Sequence, residues 1–221
     1  MEMPKIKICG ITRPQEAECL NEAGVEYAGF VFYGKSRRNL SFPRARQVQE
    51  ALSSRVKKVA VTVSPDICLY RQIAESGFDI LQVHGRLEPE VLEASEIPIW
   101  RACNIDSPER LEQLETIGRH EKIAAYVVDA QVAGSGKTFN WEASPAILEK
   151  WEAYFRGKTF VLAGGLCAGN VEEGIRRFRP DIVDVSTGVE ADGGKDRQMI
   201  LDFVRKVREH CENMEQLQFL L

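Results

Sequence analysis

The sequence predicts an α/β fold, a (β/α)₈ TIM barrel with a closed parallel sheet of eight strands and an outer layer of helices, on three observations. Short apolar runs rich in Val, Ile and aromatics recur along the chain. Amphipathic, charge-rich stretches lie between them, the alternation expected of strand and helix units. Eight such units fill the 221 residues with no linker left over, so a single domain over residues 1–221 accounts for the whole length. An open doubly wound sheet is the structural alternative, but no G-x-G-x-x-G follows the first strand.

In chain order the strands are expected at Ile6–Cys9, Tyr27–Phe32, Lys57–Val63, Ile80–Val83, Ile99–Ala102, Tyr126–Asp129, Thr159–Ala163 and Ile182–Ser186. Each is an apolar run of strand length bounded by turn-forming or charged residues. Helices are expected in "RPQEAECLNEAG", "PRARQVQEALSS", "DICLYRQIAESG", "PEVLEAS", "SPERLEQLETIG", "SPAILEKWEAYF", "NVEEGIRRF" and "DRQMILDFVRKVREH". Asp66 and Ser107 read as N-caps, and Gly24, Gly77 and Gly118 as the residues just past a helix end. The tail after His210 reads as a continuation of the last helix or a frayed end.

Composition narrows the partners. Lys plus Arg is 29 and Asp plus Glu is 33, a formal charge of −4, with no basic block interleaved with aromatics. Nucleic acid and anionic membrane are therefore poor candidates. No apolar run approaches the roughly 18 residues of a membrane span, and the first residues lack a charged segment leading into an apolar one, so a cytoplasmic location is expected. The six cysteines are scattered, without a C-x-x-C pair or paired histidines, which disfavours structural zinc or a disulfide framework.

In a barrel of this kind the active site lies at the C-terminal ends of the strands. Polar residues are found at those positions: Cys9, Arg37 and Arg38, Gln82 and His84, Asp129, Gly164 and Gly165, and Asp184 to Gly188. Alternation along a strand gives Lys7 and Cys9 one face, as it does Val127 and Asp129, and Asp184 and Ser186. A charged side chain turned into a barrel is costly unless paired, which favours a chemical role. Gly164 and Gly165 let backbone approach a ligand closely, and Ser186, Thr187 and Gly188 offer a hydroxyl and N–H donors at the expected start of a short helix. Following strands 7 and 8, the two segments predict a phosphate site. "GSGKTFNW", Gly134–Trp141, ends like a P-loop, but Gln131 stands where the motif needs glycine. It reads instead as an active-site loop, with Lys137 able to reach an anionic substrate.

Taken in order, "KICGIT", "GFVFYGKSRR", "QVHG", "VVDA", "GSGKTFNW", "LAGGL" and "VDVSTGVE" resemble the signature set of the phosphoribosylanthranilate isomerases of tryptophan biosynthesis, from about Lys5 to about Arg208. The resemblance implies a barrel needing no metal or organic cofactor. Its small-molecule substrate is N-(5-phosphoribosyl)anthranilate, which undergoes an Amadori rearrangement to 1-(2-carboxyphenylamino)-1-deoxyribulose 5-phosphate. Carried over, Cys9 is the general base and Asp129 the general acid. Arg38 meets the anthranilate carboxylate, Asp184 lies near the anthranilate end, Gln82 and His84 line the substrate site, and the two glycine turns hold the phosphate. A monomer or a homodimer is compatible with the resemblance. Arg37-Arg38 replaces the usual Pro-Arg, and Phe139-Asn140-Trp141 the usual Phe-Asp-Trp.

The chemistry suits those residue types. An acid must protonate the ribose ring oxygen so that the furanose opens to a Schiff base, which calls for a carboxyl raised by apolar neighbours such as Val127 and Val128. A base must then remove the C2′ proton. For Cys9 this means a thiolate, hence a pKa below the free value of about 8.5, with Lys7 one pleat away to lower it. Two rivals remain at this point: a related isomerase of histidine biosynthesis or a dual-substrate enzyme, which use aspartate where Cys9 stands, and a non-catalytic barrel that senses a phosphorylated metabolite.

Overall fold

The computed structural model describes residues 3–104, 120–129 and 157–218. Eight parallel strands close into a barrel: β1 (Lys5–Cys9), β2 (Tyr27–Phe32), β3 (Lys57–Val63), β4 (Ile80–His84), β5 (Ile99–Asn104), β6 (Ile123–Asp129), β7 (Thr159–Ala163) and β8 (Ile182–Val185). Each pairs with the next in sequence, and β1 pairs with β8 through Lys5–Ile182 to Ile8–Val185, which closes the ring. The helices are α1 (Pro14–Ala23), α2 (Phe42–Glu50), α3 (Ile67–Glu75), α4 (Pro89–Ala94), α5 (Val171–Phe178) and α6 (Arg197–Gln218). The helices expected in "SPERLEQLETIG" and "SPAILEKWEAYF", with Ser107 and Gly118 as their signals, lie outside the described residues.

Local chemistry sets the helix ends where the sequence placed them. The Asp66 carboxylate accepts from Leu69 N at 2.7 Å and starts α3. Gly24 ends α1 in the left-handed region, at φ 66°, where a side chain would be strained. The tail after His210 does continue α6, as far as Gln218.

Five strands differ from expectation: β1 begins one residue earlier, β4 runs one residue further and β8 ends one residue sooner, and two differ by more. β5 runs to Asn104, and β6 begins at Ile123 rather than Tyr126. Ala124 and Ala125 carry little strand preference, so the early part of β6 is set by pairing with β5 rather than by side-chain type. Its register slips between Ile99 and Trp100. At Ser186 to Gly188 the expected short helix is absent: Glu190 N bonds Thr187 O at 3.1 Å in a turn. That turn leads into a hairpin of β9 (Glu190–Ala191) and β10 (Gly194–Lys195). Its two central residues, Asp192 at φ 49° and Gly193 at φ 81°, take the positive φ pair that matches the twist of a two-residue hairpin.

Alternation along the strands divides the core in two. Val59, Val61, Ile80, Trp100, Ala102, Ala125, Val127, Val161, Ala163 and Ile182 fill the barrel interior, and Trp100 packs edge-on against Tyr27 at 5.1 Å. The opposite faces of the same strands pack against the helices. Phe30 is fully buried there, with its ring edge-on to Phe78 at 5.3 Å. Replacement of Phe30 by Ala leaves a cavity in this layer and should cost about 3–5 kcal/mol in urea denaturation. A loss below about 1 kcal/mol would show that the layer collapses to fill it.

Candidate active site

At the C-terminal end of the barrel a cavity of about 220 Å³ is lined by Cys9, Arg38, Gln82, His84, Val127, Ala163, Gly164, Gly165, Leu166, Asp184, Ser186 and Thr187. Residues from β1, β4, β6, β7 and β8 and the loops after β2, β7 and β8 meet there. Of the residues expected from the sequence, Cys9, Arg38, Gln82, His84, Gly164, Gly165, Asp184, Ser186 and Thr187 thus share one cavity. Asp129 closes β6, its backbone paired with Asn104 and Ala163; its side chain lies outside the described residues, as does Lys137.

The floor of the cavity is charged. Lys7 is completely buried and its Nζ donates to Asp184 Oδ2 at 2.7 Å, across the β1–β8 seam. Burial works against the Lys7 charge, and the Asp184 carboxylate and the Cys9 sulfur more than offset it, holding the ammonium above its ordinary value. On the other side of the pair, burial pushes the Asp184 carboxyl up against the pull of Lys7. Asp184 Oδ1 and Gln82 Oε1 are buried with no hydrogen-bond partner among the described residues, and so remain acceptors for a ligand.

Cys9 is half-buried at the end of β1. Its sulfur lies against Gly29, where a Cβ would come within 2.8 Å of it, so β2 makes room for the thiol by having no side chain there. Burial pushes the Cys9 thiol up, and the charge and hydrogen bond of Lys7 only partly reverse this. The expected lowered thiol is therefore corrected: Lys7 acts in the expected direction, but desolvation wins.

His84 sits beside Gln82, with Gln82 Nε2 at 2.9 Å from His84 Nε2. Burial, then Lys7 and Arg101, lower its pKa to about 4, so its ring is neutral at pH 7. Arg101, at the outer face of β5, donates through Nη1 to Val83 O at 2.7 Å and through Nη2 to Gly85 O, capping the end of β4 that carries His84.

The two glycine-rich segments form one surface. Gly164 and Gly165 have φ 89° and 67°, conformations that other residues rarely adopt. Asn170 ties their loop together, donating from Nδ2 to Gly165 O at 2.9 Å and accepting from Cys167 N at 2.8 Å. Cys167 in turn bridges Gly188 in parallel fashion, and a Cβ on Gly188 would fall 1.9 Å from Leu166 O. The Ser186 hydroxyl donates to Cys9 O at 2.9 Å. Its single proton is thereby used in joining β8 to β1 and is not offered to an anion.

Arg38 is held from two sides. Its stem crosses Gly10, at φ +80°, where a Cβ would come within 2.3 Å of Arg38 Cδ. Its Nε and Nη2 each donate at 2.7 Å to the Glu190 carboxylate. Arg37 also reaches Glu190 but is exposed and does not line the cavity. Lys195 Nζ, nearly buried, adds a 2.7 Å bond to Glu190 Oε1 and a 3.0 Å bond to Ser186 O. Burial opposes the Glu190 charge, yet Arg38 and Lys195 bring its pKa down to about 2. Glu190 and Lys195 escaped the sequence reading. The signal was Asp192-Gly193, a two-residue hairpin turn that sets Lys195 opposite Glu190.

Among the described residues no cluster of three or more His, Cys, Asp or Glu suited to a metal ion occurs, and no helix is long and apolar enough to cross a membrane.

Over residues 6–206 the chain matches the family model described as N-(5'phosphoribosyl)anthranilate (PRA) isomerase. A Streptococcus gordonii protein named N-(5'-phosphoribosyl)anthranilate isomerase is 36% identical over 208 residues, covering 94% of this chain and 99% of its own. The phosphoribosyl anthranilate isomerase of Thermotoga maritima superposes with a TM-score of 0.81 at 32% identity, covering 94% of this chain and all (100%) of its own. A phosphoribosyl anthranilate isomerase in complex with reduced 1-(o-carboxyphenylamino)-1-deoxyribulose 5-phosphate is similar at TM-score 0.79 and 30% identity, with 94% and 100% of the two chains covered.

The acid response of the site follows from His84. Its pKa is about 4 in the fold, whereas an unfolded histidine titrates near 6.5. Between those values the unfolded chain binds the extra proton, so stability falls as the pH drops from about 6.5 toward 4. A His84→Asn variant should flatten that part of the stability profile in denaturant titrations at stepped pH. An unchanged slope would place the acid sensitivity elsewhere.

Proposed function

The chain belongs to the N-(5'-phosphoribosyl)anthranilate isomerase family, and from that premise we propose that it is the aldose–ketose isomerase of tryptophan biosynthesis that converts N-(5-phosphoribosyl)anthranilate to 1-(2-carboxyphenylamino)-1-deoxyribulose 5-phosphate. The observation that carries the reading is the convergence on one cavity of a thiol, a cavity-lining guanidinium and two glycine-rich turns. The substrate presents the matching groups: a carbon acid, a carboxylate and a phosphate.

Asp129 protonates the ribose ring oxygen, and the C1′–O bond opens to a Schiff base stabilised by the anthranilate nitrogen. Cys9 removes the C2′ proton to give the enolamine, which tautomerises to the aminoketose. No atom is gained or lost overall, so the reaction needs an acid and a base and no redox partner. The carboxylate meets the surplus positive charge around Arg38, where a guanidinium suits a planar anion. The phosphate takes the backbone N–H groups of the turns at Gly164–Gly165 and Ser186–Gly188. The open acceptors Asp184 Oδ1 and Gln82 Oε1 suit the substrate's amine and hydroxyl protons.

A resting Cys9 raised by burial is mostly thiol at neutral pH, so its thiolate fraction, and with it kcat/KM, grows with pH. The Lys7 ammonium is the nearest charge opposing that rise, and Lys7→Met should move the basic limb of the pH–rate profile to higher pH. A limb that stays in place would remove Lys7 from the base's activation.

The reading is tested by the fluorescence of anthranilate on purified protein supplied with freshly made substrate. Cys9→Ala and Asp129→Asn should each lower kcat by about a hundredfold or more. Normal turnover by both variants would remove the acid–base assignment, and no turnover by the wild type would favour a non-catalytic metabolite sensor.

A further inference from the structure

The site contains a carboxylate for which the proposed reaction has no direct use. Glu190 lies on β9 behind Arg38 and is ringed by three cations, Arg37, Arg38 and Lys195. With one negative charge among three positive ones, the cluster keeps a surplus of two. Lys195 is itself almost fully buried, with a side-chain exposure of 1%. Burial pulls its pKa down while Glu190 holds it up. A buried carboxylate bonded this thoroughly remains ionised throughout the neutral range.

We propose that Glu190 is a positioning residue that sets the specificity of the site for a substrate bearing an aromatic carboxylate. It acts by fixing the guanidinium of Arg38, and this inference rests on the isomerase reading above. Arg38 meets Glu190 through Nε and one terminal nitrogen, the two-bond fork that fixes the guanidinium plane as well as its place. The stem is fixed at Gly10, where it occupies the space a side chain would need. Two of the five guanidinium N–H donors are used in this fork, which leaves both on Nη1 and the second on Nη2 for a ligand. Lys195 holds Glu190 in turn, and the hairpin turn at Asp192-Gly193 holds Lys195 opposite it. The guanidinium is thus oriented before substrate arrives, and the substrate carboxylate is not charged with the entropy of ordering it. The surplus of two positive charges in the cluster supplies the attraction.

Steady-state kinetics of the wild type, Glu190→Gln and Glu190→Asp separate this role from a purely structural one when run on two substrates: phosphoribosylanthranilate and phosphoribosylaniline, which lacks the carboxyl. Glu190→Gln replaces an acceptor facing three donors by an amide, and should raise KM for the carboxylated substrate about tenfold, the larger share of the change falling on KM rather than kcat. KM for the aniline compound should stay within about twofold. Glu190→Asp keeps the charge on a shorter stem and should recover part of the loss, and it carries the test if the Gln variant fails to fold by circular dichroism. Equal KM increases on both substrates, or no increase on the carboxylated one, would overturn the inference while leaving the isomerase reading in place. A wild type inactive on phosphoribosylanthranilate would overturn both.

Discussion

The upper half of the barrel depends on one buried ion pair. Lys7 and Asp184 face each other across the seam where the last strand returns to the first. Two charges removed from water are tolerated only because each supplies the other with a partner at 2.7 Å. The pair therefore couples the closure of the sheet to the electrostatics of the cavity above it. Breaking it by removing one partner would leave a full charge stranded inside the barrel, which is costlier than losing both. The same ammonium lies beneath Cys9 and beside His84, where it eases ionisation of the thiol and opposes ionisation of the ring. One residue thus biases two titratable groups in opposite chemical senses, toward a charged sulfur and a neutral imidazole.

Much of this was legible in the sequence, for identifiable reasons. The β-branched run at Lys57–Val63 and the aromatic-rich run at Tyr27–Phe32 coincide with their strands because local preference and barrel pairing agree there. Ala124 and Ala125 have no such preference, and only tertiary pairing brings them into β6. Cys9, Arg38 and the paired glycines could be found because strand ends are functional positions in a barrel. What could not be read was the sign of a competition. Lys7 lies where alternation puts it, but whether its charge or desolvation governs Cys9 depends on the surroundings of the sulfur, and the sequence carries no measure of that. The hub at Glu190 was missed for another reason. Its cations come from the loop after β2 and from the far arm of a hairpin, 152 and five positions away in the chain, and only the short turn between β9 and β10 hinted at the nearer of them.

Glycine has distinct tasks around the site. Gly29 provides space for a sulfur, and Gly10 provides both a positive φ and space for the arginine stem. Gly188 lets two loops approach until backbone meets backbone. Each glycine thereby positions a neighbouring functional group by leaving it room. A methyl group at Gly29 would press on the Cys9 sulfur, at Gly10 on the Arg38 stem, and at Gly188 on the backbone of the loop after β7.

The bridge between Cys167 and Gly188 has a consequence for motion. The loops after β7 and β8 are joined through it, and Ser186 links the second of them to the end of β1. Three strand ends therefore share one continuous rim, and neither loop can swing outward without breaking bonds to the other. Fluctuations of this rim would be collective rather than independent, and its backbone amides would exchange with solvent as one cooperative unit. An anion resting on either turn would then damp the breathing of both.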